Sequence, residues 1–264
     1  MQWAAADTSS RLSWAQAERR ERRERLVAVG QANQRRRSNG REIWTVNGAE
    51  SGEGSNDPNG RGARAQHRVI APNILYFGTP VVLISTCNED GSPNLAPMSS
   101  AWALGHTIML GLGSAGKTAA NLARSGECVL NLPSADLWQA VEKLAPLTGK
   151  NPLPDDKRTS GFRFERNKFG AAGLTPAPSD VVAPPRVAEC PLHLEALVRD
   201  MRPLCDPQSG ALAVEVEVVR VHAHAALIEG ERHISPTGWR PLIYNFRHYF
   251  GLGIELGKTF RAEI

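Results

Sequence analysis

No run of about 18 apolar residues occurs anywhere in the chain, so a membrane-spanning helix is not expected. Cys-x-x-Cys pairs are also missing, although cysteine itself is present at Cys87, Cys128, Cys190 and Cys205. With no signal-peptide pattern, these four read as reduced thiols of a cytoplasmic protein, Cys87 and Cys128 within a barrel interior. Lysine is absent from the first 68 residues, which hold 13 Arg against 8 acidic residues, a net charge of +5. The remainder carries 18 basic and 19 acidic residues, a net of −1. The pI near 9.0 therefore comes from the N-terminal stretch, and a nucleic-acid footprint on the globular part is not supported.

That stretch is also poor in apolar residues. Its Glu18–Leu26 (ERRERRERL) and Gly48–Arg64 segments offer too little burial to offset chain entropy. Residues 1–68 are expected to be a disordered basic extension, with at most a short helix at 14–27, and dispensable for folding. A transit peptide would be poor in acids, whereas here Glu alternates with Arg. An RNA-binding arm is the other minor alternative.

From residue 69 the texture becomes that of a folded domain. Val81–Thr86 is a β-branched run, Asn88–Ser92 carries an Asp-Gly turn, and Leu95–Ala101 returns as a hairpin. His106–Leu112 predicts a third strand and Glu127–Leu132 a fourth. Ser114 is placed to cap a helix over 116–124, with Gly126 at its end. Ser134 is placed to cap a second, on which Leu137, Val141 and Leu144 share a face. Residues 146–186 are rich in Pro, Gly and charge and predict a long excursion with little regular structure, a cover over a site or a dimer contact. Cys190–Val198 and Ala211–Ile228 predict two further strands. The second changes apolar parity after Val218, which suggests a bulge or burial of both faces. Strands outnumber helices, and the expected fold is mostly β with some α: an antiparallel barrel with a few flanking helices.

Gly111–Thr118 (GLGSAGKT) fits Gly-x-x-x-x-Gly-Lys-Ser/Thr between a strand and a helix. Backbone N–H groups at a helix start, together with Lys117 and Thr118, suit a phosphate. A P-loop NTPase also needs an acid at the tip of a following strand to hold Mg²⁺. The next strand ends Leu130-Asn131-Leu132-Pro133, so that reading is the remote one. His222 and His224 lie two apart on a strand and share a face; with no third ligand nearby in sequence they read as ordinary strand histidines, and no metal is expected.

Gly78–Gly105 resembles the opening hairpin of the flavin reductase-like family, among the FMN-binding split barrels. The motifs recur in order: Asn94, Ala96, Pro97 and Ser99; then Ser114, Lys117, Thr118, Asn121 and Leu122; then Gly126, Glu127, Val129 and Asn131; then Tyr249-Phe250-Gly251-Leu252-Gly253. The resemblance implies a split-barrel domain over residues 69–264. It implies that Asn94, Ala96, Pro97, Met98, Ser99, Ser100 and Ala101 run beside the isoalloxazine of FMN. Ser99 and Ser100 would lie near its polar edge or ribityl chain. Ser114, Lys117 and Thr118, with Asn121 in the same motif, would hold the phosphate. Gly230-Glu231-Arg232-His233 stands where flavin reductases carry Gly-Asp-His, which assigns His233 to the nicotinamide side. The aromatic residues after it could stack on a flavin or nicotinamide ring, or simply pack the core or a dimer contact. The implied activity is a homodimeric oxidoreductase with flavin near the interface. It would take hydride from NADH or NADPH and pass electrons to free flavin or another small acceptor. The alternative is an FMN carrier, sensor or electron-transfer module without nicotinamide turnover.

Overall fold

The computed structural model describes residues 67–204 and 209–260. The chain divides into two units, 1–73 and 74–264, and the fold below belongs to the second. The expectations for residues 1–66 and Cys205 lie outside the described residues.

The centre is a seven-stranded sheet. Its strands are β2 (Val82–Cys87), β3 (Pro93–Met98), β4 (Ala101–Leu104), β5 (Thr107–Gly113), β6 (Glu127–Leu132), β11 (Leu192–Pro203) and β12 (Ala211–Ala223). They lie in the order β3-β2-β6-β11-β12-β5-β4, and every neighbouring pair is antiparallel. The two edge strands, β3 and β4, are consecutive in the chain with only Ser99 and Ser100 between them. The sheet must therefore curl until its edges meet, which makes a barrel with a seam at those two serines. The Ser100 carbonyl accepts from the Gly111 N–H at 2.7 Å, beside the seam. A P-loop NTPase is built on repeated strand–helix units and parallel strands, so this topology removes that reading.

Strand β2 shows why its sequence is apolar without alternation. Val82 and Ile84 enter one buried cluster with Leu110, Leu122, Leu130 and Val214. Val81 and Leu83 enter a second with Leu144, Phe169 and Val187. Both faces of the strand are covered, as period-two geometry requires. The parity change on β12 is a bulge: Glu195 pairs with Arg220 and Ala196 with Val218, leaving Val219 unpaired. This strand stops at Ala223, short of Ile228; there the His224 imidazole accepts from the Ala226 N–H at 3.3 Å and starts a single 3₁₀ turn.

Helix α1 (Lys117–Ser125) follows β5 and ends at Gly126, whose φ of 72° is the left-handed stop that glycine permits. Its N-cap is Gly116, not Ser114, and no side chain caps it. Helix α2 (Trp138–Leu144) is preceded by a 3₁₀ turn at Ala135–Leu137, and the Ser134 hydroxyl is bonded to Asp136 rather than to the backbone.

The 146–186 excursion has more structure than its composition predicts. Strand β7 (Leu147–Thr148) pairs in parallel with β8 (Arg163–Phe164). Helices α3 (Asp155–Thr159) and α4 (Lys168–Ala172) interrupt it, and β9 (Pro176–Ala177) pairs with β10 (Arg186–Val187). Beyond the barrel, β13 (Ile228–Glu229) and β14 (His233–Ile234) form a small hairpin, while β1 (Phe77–Pro80) pairs with β15 (Ile243–Asn245) and that with β16 (His248–Phe250).

Candidate functional site

Two adjoining cavities share a wall on β3, and the larger opens beside the start of α1. The larger, about 510 Å³, is walled by Ala96, Pro97 and Met98 of β3, by Gly113–Ala119, and by Thr148, Lys157, Phe162 and Lys168 of the excursion. The smaller, about 360 Å³, shares Pro97, Met98 and Phe162 and adds Ser99, Val141, Tyr76, Tyr244 and Tyr249. The hairpin and the helix start, separate in sequence, thus meet because the barrel is closed at its seam.

The polar layer behind the wall is a chain of side-chain hydrogen bonds. The Asn94 amide donates to the hydroxyls of Thr86 and Thr118, both at 3.1 Å. The Asn121 amide donates to Thr86 at 3.0 Å and to the Asn88 carbonyl oxygen at 3.1 Å. Thr118 accepts in this chain, which leaves its own hydroxyl proton free to donate into the cavity. Asn94 and Asn121 are buried and stand outside the wall of the larger cavity; their place is to fix Thr118 and the hairpin turn. The carbonyl oxygens of both amides lack a partner among the described residues.

Lys117 bonds to Glu89 at 2.5 Å, a contact that lowers the Glu89 pKa. Gly149 lies so close that a Cβ there would stand 2.7 Å from the Asn94 side-chain oxygen, so the excursion backbone meets the Asn94 side chain at this point. The rings of Tyr76 and Tyr244 pack edge to face at 5.4 Å, and Tyr244 and Tyr249 lie 5.7 Å apart. Tyr249 donates to Glu142 at 3.0 Å. Burial, then that carboxylate, pushes its pKa up.

Ala96, Pro97, Met98, Ser114, Lys117 and Thr118 share the larger cavity, and Ser99 the smaller. Ser100 stands at the seam, its hydroxyl 3.1 Å from that of Tyr76. Ala101 faces the barrel interior, because side chains alternate and its neighbours across β5 bury that face. His233 is paired with Glu229 in the β13–β14 hairpin and lines neither cavity; the fold of this chain does not bring it to this site. Tyr244 and Tyr249 are the members of the predicted aromatic group that do arrive.

Sequence reading missed Thr148, Lys157, Phe162 and Lys168. One signal was there: Asn167 followed by Lys-Phe-Gly-Ala-Ala and Gly173 is a short helix with both ends marked. The Asn167 oxygen accepts from the Gly170 N–H at 3.0 Å, and Gly173 has φ 73°.

His222 does not pair with His224. It bonds to the buried Glu195 at 2.6 Å. With Asp180, these donor atoms lie within 4.8 Å of one another, a spacing that a cation would accept. Glu195 is otherwise engaged: it accepts the N–H groups of Asp180, Val181 and Val182 at 2.8, 2.7 and 3.2 Å. This arrangement anchors the excursion.

A model of the flavin reductase like domain matches residues 74–253. The chain belongs to the flavin reductase-like family. It is 50% identical over 194 residues to YdfE of Bacillus subtilis (strain 168), a match covering 74% of this chain and 93% of YdfE. Its fold is similar to that of the flavoredoxin of Desulfovibrio vulgaris (Miyazaki F), with TM-score 0.62 and 22% identity over 75% of this chain and 98% of that one. It is also similar to nitrilotriacetate monooxygenase component B of Bacillus cereus, with TM-score 0.58 and 21% identity over 79% and 100% of the two chains. The split-barrel architecture is thus established, and family membership ties the chain to flavin chemistry. Among the described residues no helix is long and apolar enough to cross a membrane.

Proposed function

We propose that the chain binds FMN in the two adjoining cavities and accepts hydride onto it from NADH or NADPH. The observation that carries this reading is the larger cavity, which joins Ala96–Met98 to the Ser114–Thr118 loop. The wall fits the group. Hydroxyls, lysines and the start of α1 suit a phosphate, and Pro97, Met98, Phe162 and three tyrosines suit a planar ring.

The flavin supplies reversible hydride and electron transfer when bound. The chain's own part is positional. Ser114, Lys117 and Thr118 would hold the phosphate, while Asn94 holds Thr118 and Asn121 holds Thr86 and Asn88. The 96–100 backbone runs along the ring, and Phe162 and the tyrosines exclude water. A homodimer is part of the proposal. Trp102 and Leu104 on β4 are 61% and 75% exposed, and large apolar side chains left open to solvent together favour a partner surface. His233 then has a nicotinamide-side role only if it reaches a ring across that interface.

Purified protein should show a flavin visible spectrum that bleaches anaerobically with NADH or NADPH. Lys117→Ala should weaken FMN by roughly 10–150-fold, the loss of one charge-assisted hydrogen bond, with riboflavin little affected. His233→Ala should slow flavin reduction at unchanged FMN affinity; an unaltered rate removes His233 from the mechanism. Bound FMN that dithionite reduces and neither nicotinamide does would make the protein a flavin carrier instead.

A further inference from the structure

We infer that Lys168, with Lys157, is the counter-charge for a phosphate monoester dianion, so that the excursion selects phosphorylated over unphosphorylated flavin. This rests on the FMN reading above and extends it to residues that no motif covers.

Lys168 opens α4 and is only 3% exposed, yet it lines the larger cavity. Among the described residues, no carboxylate stands within ion-pair distance of it. Among the described residues, the cavity wall holds Lys117, Lys157 and Lys168 and no Asp or Glu. Of the three, Lys117 is already compensated by Glu89. Among the described residues, the Lys157 ammonium meets the Thr148 hydroxyl at 3.4 Å and the face of Phe162 at 5.8 Å.

Among the described residues, two lysines therefore line one cavity without an anion. Burial, and then the Lys157 charge, pull the Lys168 pKa down to about 8, the mark of a charge that is costly to keep there. A buried cation without a partner destabilises a fold and persists where function requires it. A phosphate monoester carries a charge of about −1.5 to −2 near neutral pH, which matches the two uncompensated lysines. Riboflavin carries no phosphate. FAD spreads its charge over the two phosphates of a pyrophosphate bridge, one negative charge on each, and has no terminal dianion.

A purely structural role is separable from this one. If the Lys168 stem serves packing alone, methionine fills nearly the same space, and no ligand should notice the change. The test uses the full chain, stripped of flavin, titrated with FMN, riboflavin and FAD, beside thermal melts of the flavin-free protein. Lys168→Met should weaken FMN by roughly 10–150-fold, leave riboflavin nearly unchanged, and raise the melting temperature of the empty protein. Lys157→Met should weaken FMN less, with the same selectivity, and inorganic phosphate should compete with FMN in the wild type.

Equal weakening of FMN and riboflavin would overturn the inference. So would unchanged FMN affinity in Lys168→Met while Lys117→Ala still weakens it; that result leaves the FMN reading intact. Wild-type protein that binds no flavin overturns both. Should Lys168→Met fail to fold, Lys157→Met decides: selective loss of FMN supports the inference, and no loss overturns it.

Discussion

The barrel and the excursion that covers it both bury apolar side chains and satisfy their backbone polar groups, by different means. The barrel does so with long ladders: β11 alone pairs with both β6 and β12 along much of its length. The excursion has two-residue strands and five-residue helices, too short to satisfy their own backbone. Polar side chains on the outer barrel wall take over. Ser85 donates to the Pro185 carbonyl at 2.5 Å. Glu127 accepts from the Ala183 N–H at 2.9 Å and Asn131 from that of Val187 at 2.8 Å. Glu195 accepts three more. Regular structure is thus self-sufficient in hydrogen bonds, and the irregular segment borrows them from side chains. The excursion in return supplies Leu147, Phe169, Ala172 and Leu174 to the second core.

If the excursion is as integral as the barrel, core truncations in the two should cost alike. Phe169→Ala should destabilise by about 3–5 kcal/mol and Leu130→Ala by about 2–5 kcal/mol, in one cooperative denaturant transition. A loss below about 1 kcal/mol for Phe169→Ala, or a separate early transition, would make the excursion a detachable flap.

A smaller effect is expected at the clasp. Each Glu195 oxygen accepts backbone donors, so the amide nitrogen of Glu195→Gln must face N–H groups. The cost is about 1–3 kcal/mol, with faster amide exchange at Asp180–Val182. Burial of Glu195 raises its pKa, but the N–H donors of Asp180 and Val181 and the His222 contact outweigh that, so the net shift is downward from 4.5. The carboxylate's contribution to stability is therefore full above that value and lost as pH falls through the lowered pKa. The gap between wild type and Glu195→Gln should close in acid. A gap that persists there would mean that ionisation is not what holds the loop.

The smallest effect should come from removing residues 1–66, which contribute no core-forming pattern in sequence. Melting temperature and FMN content should match those of the full chain; loss of folded protein would show that the extension belongs to the fold.

Much of the barrel was legible because strand periodicity is local. The Val81–Thr86 run, the Asp90-Gly91 turn and the parity change at Val219 each declare a strand, a hairpin or a bulge within a few residues. The family motifs added the order in which the segments assemble. Lys117 and Thr118 were readable for the same reason, since a strand, a Gly-rich turn and a helix start stand together in sequence.

By itself, then, the sequence determined the strands, the hairpin and the phosphate-type loop, because backbone geometry and side-chain alternation act over short range. Only the tertiary structure decided that Asn94 and Asn121 lie behind the wall rather than on it, that Ala101 points inward, and that His233 sits away from the cavities. It alone brought Lys157 and Lys168 to the loop at Lys117. Those placements depend on barrel closure at Ser99 and Ser100 and on an excursion held by side-chain clasps. Both are contacts between residues far apart in the chain, and they leave no periodic trace in the segments they join.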